Sequence, residues 1–309
     1  FTMDEGLSAA VRSVFVSLYE EGNIYRGLRI VNWCPKDKTV LSDLEVKEES
    51  RKDGKLTYLK YPVKGKDRTI TVATTRPETM LGDTAVAVNP SDERYKDLIG
   101  MTVDLPLTDR EIPIIADEYV DAEFGTGAVK ITPAHDPNDY EIGQKHGLPT
   151  IDILTDNGHI SDVCEFKPLV GMERFQARKA IKPLLEEAGV LVKTQDYQTK
   201  IGRSERTNSV VEPKLSLQWF VKMTDLGAPA LKAVMEEEIK FYPSNFQNLY
   251  RNWMENLRDW CISRQLWWGQ QIPAWYLKAD ALNHETHVFV AQSADEALEQ
   301  AKTATGNSQ

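Results

Sequence analysis

Apolar positions along the chain fall into three textures, and the changes between them predict the organisation. Leu7, Val11, Val14, Phe15 and Leu18 recur at helical intervals. Thr2 and Glu5 ahead of them have capping-box spacing, and Gly22 supplies a stop. Residues 28–33 read as a strand, 35–43 as a turn-rich connector, and the charged stretch 47–55 as a boundary. From Leu56 to Val192 the pattern becomes short strands, at 57–63, 69–74, 85–88, 102–105, 112–115 and 128–132, punctuated by Asn89-Pro90, Gly100, Pro106, Pro113 and Gly125. Strands this short at near-regular spacing suggest a closed or nearly closed barrel. Helices are expected at 137–146 and 172–188, the second kinked at Pro183, and beyond Thr194 at 229–239 and 249–260. The predicted fold class is α+β: mainly a β-barrel domain with peripheral helices, flanked by helical and stalk segments. Its domains are 1–50, an N-terminal helix and stalk; 51–200, the barrel; 201–275, a return stalk with helices; and 276–309, the start of a further insertion.

Composition changes this picture little. Hydrophobic residues make up 41% and charged residues 27%, as in an ordinary soluble protein. No apolar stretch approaches the roughly 20 residues needed to span a bilayer, and no membrane partner is expected. The N-terminus lacks the basic start and apolar run of a signal peptide. Cys34, Cys164 and Cys261 form no regular set, which fits a reducing cytoplasm. A start at Phe1 and a polar end over 303–309 read as a fragment of something longer. The net charge of −10 argues against a general nucleic-acid coat, so any RNA contact must be local or be held in place by parts of a longer parent.

Two segments carry candidate chemistry. Thr74-Thr75-Arg76-Pro77-Glu78-Thr79 directly follows a strand, and Pro77 fixes a turn that clusters polar side chains at the strand mouth. Hydroxyls and a guanidinium there can hold a ribose, a phosphate or a carbonyl. The plainer alternative is a turn whose Thr and Glu satisfy their own backbone. The second segment runs from Gly125 through Gly127, Lys130 and Thr132 to Asp136 and Asp139. Strand alternation puts Lys130 and Thr132 on one face and Val129 and Ile131 on the other. A lysine inside a small barrel needs partners that a substrate could supply, although a solvated face is the commoner arrangement. Asp136 and Asp139 take the N-cap and N3 positions of a helix with Pro137 at its first position, and capping alone could explain them. Both roles can coexist, since helix-start carboxylates stay ionised and can bind an ammonium. His135 is a candidate base, but a histidine beside a turn is more often structural.

A metal site is not expected. Cys34 is followed three positions later by Asp37 rather than a second cysteine, and no later pair has ligand spacing. No P-loop or GxSxG elbow is present.

Together these segments resemble the class I valyl-tRNA synthetases. The resemblance rests on TTRPET, on GTGAVKITPAHDPNDYEIG, on Trp260-Cys261-Ile262-Ser263-Arg264-Gln265-Leu266-Trp267-Trp268-Gly269, and on Val31-Asn32-Trp33 with Ser42-Asp43-Leu44-Glu45. Isoleucyl and leucyl relatives carry TTTPWT-like or RPDT-like segments and RYWG at these places. The resemblance implies the insertion that splits the catalytic fold, a β-barrel that edits mischarged tRNA by hydrolysing threonyl-tRNA(Val). It places the α-ammonium on Asp139 and the threonine hydroxyl on Lys130, Thr79 and Asp136. Arg76 and Thr132 then position the substrate, Thr74 and Thr75 flank it, and Phe124, Gly125 and Gly127 line the terminal-adenosine side. The implied partners are the acceptor end of tRNA(Val), with its threonyl-adenosine moiety, and the synthetic core of a monomeric parent. The implied parent ligates valine to its tRNA with ATP and magnesium, whereas editing itself needs no cofactor or metal. HIGH-like and KMSKS-like signatures are absent from the chain. Members with a zinc site carry paired cysteines where only Cys34 stands here, and Gln270 replaces the usual histidine after Trp-Trp-Gly. The rivals are a non-catalytic RNA-binding module and a free-standing deacylase; a metal hydrolase fails on ligand spacing.

Overall fold

Strand alternation and charge decide where each segment of this chain is buried. A computed structural model describes residues 1–277 and 287–306. It divides into two units, Leu28–Ser216 and the pair Phe1–Gly27 with Leu217–Gln309. The chain begins with helix α1 (Glu5–Glu20) and strands β1 (Ile24–Cys34), β2 (Thr39–Leu41), β3 (Val46–Pro62) and β4 (Thr69–Thr74). A 3-10 turn, Pro77–Gly82, leads to β5 (Ala85–Val88), β6 (Thr102–Asp104), β7 (Glu111–Ala116) and β8 (Ala128–Ile131). Helices α2 (Pro137–His146) and α3 (Arg174–Glu187) precede β9 (Leu191–Ser204) and β10 (Glu212–Val221). Then come α4 (Met223–Met235), α5 (Phe246–Glu255), β11 (Trp260–Cys261), β12 (Ala274–Tyr276), β13 (Val288–Val290) and α6 (Ala294–Thr305).

In the larger unit, β4, β3 and β9 form one antiparallel sheet. A second sheet has the order β6-β7-β5-β8, in which only the β5–β7 pair is parallel. Leu59, Tyr61 and Val63 alternate inward from the first sheet and share a core with Val86, Val88, Val103, Ile112 and Ile114 of the second. Ala177, Ile181 and Leu185 of α3 pack against this core. Strand β5 is buried on both faces, because Ala85 and Ala87 join Ile131 and Ile142 in a second cluster beneath α2.

The α+β class is as expected, but the ladder does not close into a barrel among the described residues. After β4 the chain enters the 3-10 turn instead of a hairpin, so β4 and β8 approach without a ladder. Among the described residues, the two sheets are joined by one isolated bridge, Val63–Val103. The charged stretch 47–55 is also not a boundary. It is the solvated half of β3, paired to β9 and carrying cross-strand ion pairs between Glu48 and Lys200 (3.1 Å), Lys47 and Glu205 (3.2 Å), Lys55 and Asp196, and Glu49 and Arg203. Charge on both faces hides the alternation that betrays a strand.

The smaller unit packs Phe15, Val16, Ile24, Trp219, Val221 and Val290 together. Phe15 and Tyr19 meet Trp219 edge-on at centroid distances of 5.5 and 5.9 Å. The N-cap of α1 is Asp4 rather than Thr2, and its carboxylate accepts the Phe1 ammonium at 2.7 Å instead of capping the helix. Pro229 lies inside α4 rather than at its start, and Trp260 pairs with β10 in β11 instead of ending α5. The segment 276–309, expected to open a further insertion, includes β13 and α6; its residues 278–286 and 307–309 lie outside the described residues.

This division of β3 yields a contrast that unfolding can measure. Leu59→Ala empties a fully buried position and is expected to cost about 2–5 kcal/mol in urea unfolding. Lys200→Ala, on the solvated half, is expected to leave the midpoint nearly unchanged. Equal losses would contradict the division.

Candidate functional site

The turn between β4 and β5 is built by its own side chains. Thr74 accepts the Arg76 amide on Oγ1 at 3.0 Å, and Thr79 donates its hydroxyl to the Arg76 carbonyl at 2.9 Å. For these two hydroxyls the plainer alternative, local backbone satisfaction, is realised. Thr75 is half-buried between them. Every residue of Pro77–Gly82 is buried. Glu78, with no exposed surface, accepts two hydrogen bonds from Arg178 of α3, at 2.8 and 2.6 Å. Arg76 donates to the His135 carbonyl at 3.1 Å and pairs with Glu212, which also lies 3.2 Å from Arg174. A chain of alternating charges, Arg178–Glu78–Arg76–Glu212–Arg174, thereby fixes the turn against α3 and β10.

On β8, Lys130 and Thr132 occupy one face, while Val129 and Ile131 pack under α2 on the other. Lys130 is 8% exposed, so its ammonium must be paired. It donates to Asp83 at 3.1 Å and to the Thr132 hydroxyl. The Thr132 hydroxyl donates to the same Asp83 oxygen at 2.6 Å, and the buried Tyr61 hydroxyl donates to the other at 2.6 Å. Burial pushes the Asp83 carboxyl up, opposed by Lys130, Thr132 and Tyr61. Burial and the neighbouring Asp83 charge drive the Tyr61 phenol well above its ordinary range.

From Thr132 the chain turns into α2. Asp136 is the N-cap, accepting the amides of Asn138 (2.8 Å) and Asp139 (3.2 Å), with Pro137 at the first helical position. Asp139 is buried, and one of its oxygens accepts the Thr132 amide at 2.9 Å. Burial, reinforced by the Asp136 charge and opposed by Lys130 and the Thr132 amide, pushes its carboxyl up to about 7. His135 accepts the Ile153 amide on Nε2 at 3.2 Å, which leaves the proton on Nδ1, where no partner lies among the described residues. Burial, with the Arg76, Lys130 and Lys214 charges, holds the ring well below the usual histidine range. With its Nε2 lone pair engaged, His135 is a structural group and not the base.

The structure thus ties the 3-10 turn that carries Arg76 and Thr79 to the β8–α2 segment that carries Lys130, Thr132, Asp136 and Asp139, through the Arg76–His135 and Asp83–Lys130 hydrogen bonds. Phe124, Gly125 and Gly127 sit in the loop before β8, and Phe124 is 70% exposed. Gly127 has φ +72°, and a Cβ there would lie 2.9 Å from the Asp92 carboxylate and 3.0 Å from the Ala122 carbonyl, so only glycine fits. No hydrogen bond joins this loop to Lys130 or Asp139 among the described residues. Sequence reasoning missed Asp83, Tyr61, Arg178 and Glu212, whose partners lie far away along the chain. It also missed Tyr119, whose phenol is pushed up by burial and by the charges of Asp136 and Asp139. Cys34 meets the Ser209 hydroxyl at 3.2 Å, the Asp37 carboxylate at 3.3 Å and the Thr207 hydroxyl at 3.5 Å. No group of three His, Cys, Asp or Glu side chains among the described residues could hold a metal.

A folded carboxyl titrating near 7, against an ordinary aspartate value of 3.8, favours the protonated native state. Its contribution to stability is complete below about pH 4 and is lost as pH rises through about 7. Relative to Asp139→Asn, the wild-type chain is expected to lose on the order of 4 kcal/mol across that window, at about 1.4 kcal/mol per tenfold change in proton affinity. Parallel stability curves for the two proteins would refute this.

Known proteins resemble the chain over nearly its whole length. The family of tRNA synthetases class I (I, L, M and V) matches residues 1–308. A valine–tRNA ligase of Chlorobaculum tepidum is 55% identical over 98% of this chain and 33% of its own length. One from Thermotoga maritima is 59% identical over 89% of this chain and 32% of its own. A valine–tRNA ligase of Bacteroides fragilis is 55% identical over 99% and 34%. The chain spans about a third of the length of these curated relatives. A ternary complex of Agrobacterium radiobacter LeuRS with tRNA and LeuAMS aligns with 68% of this chain and 34% of its own at TM-score 0.35 and 20% identity, which is too loose to add to the assignment. On the family match, the chain belongs to the class I tRNA synthetases of the I, L, M and V group, and the curated relatives named above are valine–tRNA ligases.

Proposed function

We propose that this chain hydrolyses the ester of threonine wrongly attached to the valine tRNA, and that the protein to which its relatives correspond ligates valine to that tRNA with ATP and magnesium. One observation carries the editing reading: a buried ammonium with an unspent N–H stands beside a buried carboxyl that titrates near neutrality. An ammonium has three N–H donors, and Lys130 uses two of them among the described residues. Asp139 has one carboxylate oxygen committed to an amide. A hydroxyl can accept from the first group and an α-ammonium can be held by the second.

The need for such a site follows from shape. Valine and threonine are nearly isosteric, and an apolar pocket rejects an added hydroxyl weakly; valyl-tRNA synthetase is itself the standard illustration, at about 100-fold. A site that requires the hydroxyl inverts the preference, because valine would leave buried polar groups unpaired at roughly 1–3 kcal/mol each. In this reading Lys130 donates to the threonine hydroxyl, which in turn donates to Asp136 or Thr79. The Thr79 and Thr132 protons are already spent on the Arg76 carbonyl and Asp83, so these two side chains can only accept. Asp139 binds the α-ammonium, and Arg76 positions the ribose end. The exposed Phe124 ring, flanked by Gly125 and Gly127, offers a stacking face to the terminal base. Water attacks the ester carbonyl without a covalent intermediate or cofactor, since the ester is already activated and positioning supplies the remainder. With a net charge of −10, the contact with the tRNA is confined to its acceptor end.

Single-turnover hydrolysis of threonyl- and valyl-tRNA(Val) by this chain tests the proposal: the threonyl ester is expected to be cleaved much faster. Comparable rates, or tRNA binding without cleavage of either, would overturn it. Lys130→Ala is expected to lower the ratio of threonyl to valyl rates by roughly tenfold or more, since one bond to a charged group is worth at least ~1.4 kcal/mol. The variant also leaves Asp83 without its counter-charge and reduces the folded fraction, but that loss affects both rates alike and leaves their ratio unchanged.

A further inference from the structure

We propose that Asp83 is the positioning residue of this pocket: it holds the Lys130 ammonium in place and sets which atoms around it can donate. The inference rests on the functional reading above and assigns it a residue that contacts no substrate. Asp83 is fully buried at the end of the 3-10 turn, where an unpaired carboxylate would be prohibitive. Three donors from distant parts of the chain converge on it: Tyr61 from β3 at 2.6 Å, Thr132 at 2.6 Å and Lys130 from β8 at 3.1 Å. Donors on both oxygens mark it as the ionised partner. A buried pair of this kind stabilises a fold no better than apolar side chains of the same volume, so stability alone does not account for it. Its geometric effect is specific. The only hydroxyl proton of Thr132 is spent on Asp83, so this oxygen accepts from Lys130 and cannot donate to a ligand. Lys130 is held at two points, which leaves one N–H and removes the freedom of a four-carbon stem. Without Asp83 the ammonium would lose its counter-charge and its fixed location, and the Thr132 hydroxyl would be free to donate. The pocket would then no longer separate a substrate with a hydroxyl from one without.

The test is a double-mutant cycle on this chain with Asp83→Asn, Lys130→Met and the double variant, alongside Leu59→Ala as a control for lost core packing. Asp83→Asn is expected to lower the ratio of threonyl- to valyl-tRNA hydrolysis at least about tenfold, and to lower it no further in the Lys130→Met background. Leu59→Ala is expected to leave that ratio unchanged. In urea unfolding, the double variant is expected to be at least as stable as either single variant, because the neutral pair strands no charge. Equal slowing of both esters by Asp83→Asn, or additive losses of stability, would overturn the proposal. If the wild-type chain cleaves neither ester, the functional reading falls, and Asp83 as a residue serving that pocket falls with it. If the wild type is active and the Asp83→Asn ratio is unmoved, only the positioning role falls.

Discussion

Burying an ammonium in a protein core is possible only where a carboxylate and further hydrogen bonds meet it, and the pairing of Lys130 with Asp83 imposes that condition on everything around it. Neither charge tolerates the loss of the other, so the strand carrying Lys130 and the turn carrying Asp83 must lie in one register. That register is set by β5, which pairs with β8 through Ala85–Ile131 and Val86–Lys130, directly after the turn that presents Asp83. The apolar run Ala85–Val88 is buried on both faces and cannot slip by one residue without exchanging one cluster for the other. Tyr61 adds a third tie, from the buried half of β3 in the opposite sheet.

The surrounding charges serve the same end. Glu78 is drawn fully out of water by the two-point grip of Arg178, and the turn it anchors holds Thr79 and Asp83 in place. Arg76 ties the start of that turn to the carbonyl of His135, at the junction where β8 becomes α2. Asp136 caps α2, and that places Asp139 against the Thr132 amide in surroundings dry enough to raise its carboxyl to about 7. Helix capping by Asp136 does not compete with the ligand role proposed for Asp139. Asp136 does the structural work, and the helix it starts carries Asp139 into the site.

Much of this was legible in the sequence, for reasons that also explain the remainder. The strands at 69–74 and 85–88 and the helix at 137–146 matched their observed bounds because each is set by local alternation, capping and breakers. The face shared by Lys130 and Thr132 followed from the two-residue repeat of a strand. The solvated half of β3 was hidden because charge on both faces leaves no alternation to read. Asp83 was hidden for a different reason: its partners Tyr61, Thr132 and Lys130 lie 22, 49 and 47 residues away, and no local pattern marks an acid after Gly82 as a hub. Glu78 and Arg178, 100 residues apart, are hidden in the same way. The expected barrel does not close where the chain leaves β4 by a 3-10 turn, which starts at Pro77 and carries the buried Glu78 held by Arg178.

The central claim is that this buried polar group reads a hydroxyl and an ammonium together. The most direct measurement is calorimetric binding of non-hydrolysable threonyl- and valyl-adenosine analogues to this chain at pH 6, in two buffers of different ionisation heat. The account predicts that the threonyl analogue binds at least about tenfold more tightly and that binding releases a proton, because an ammonium on Asp139 favours the ionised carboxyl. Equal affinities with no proton exchange would contradict it.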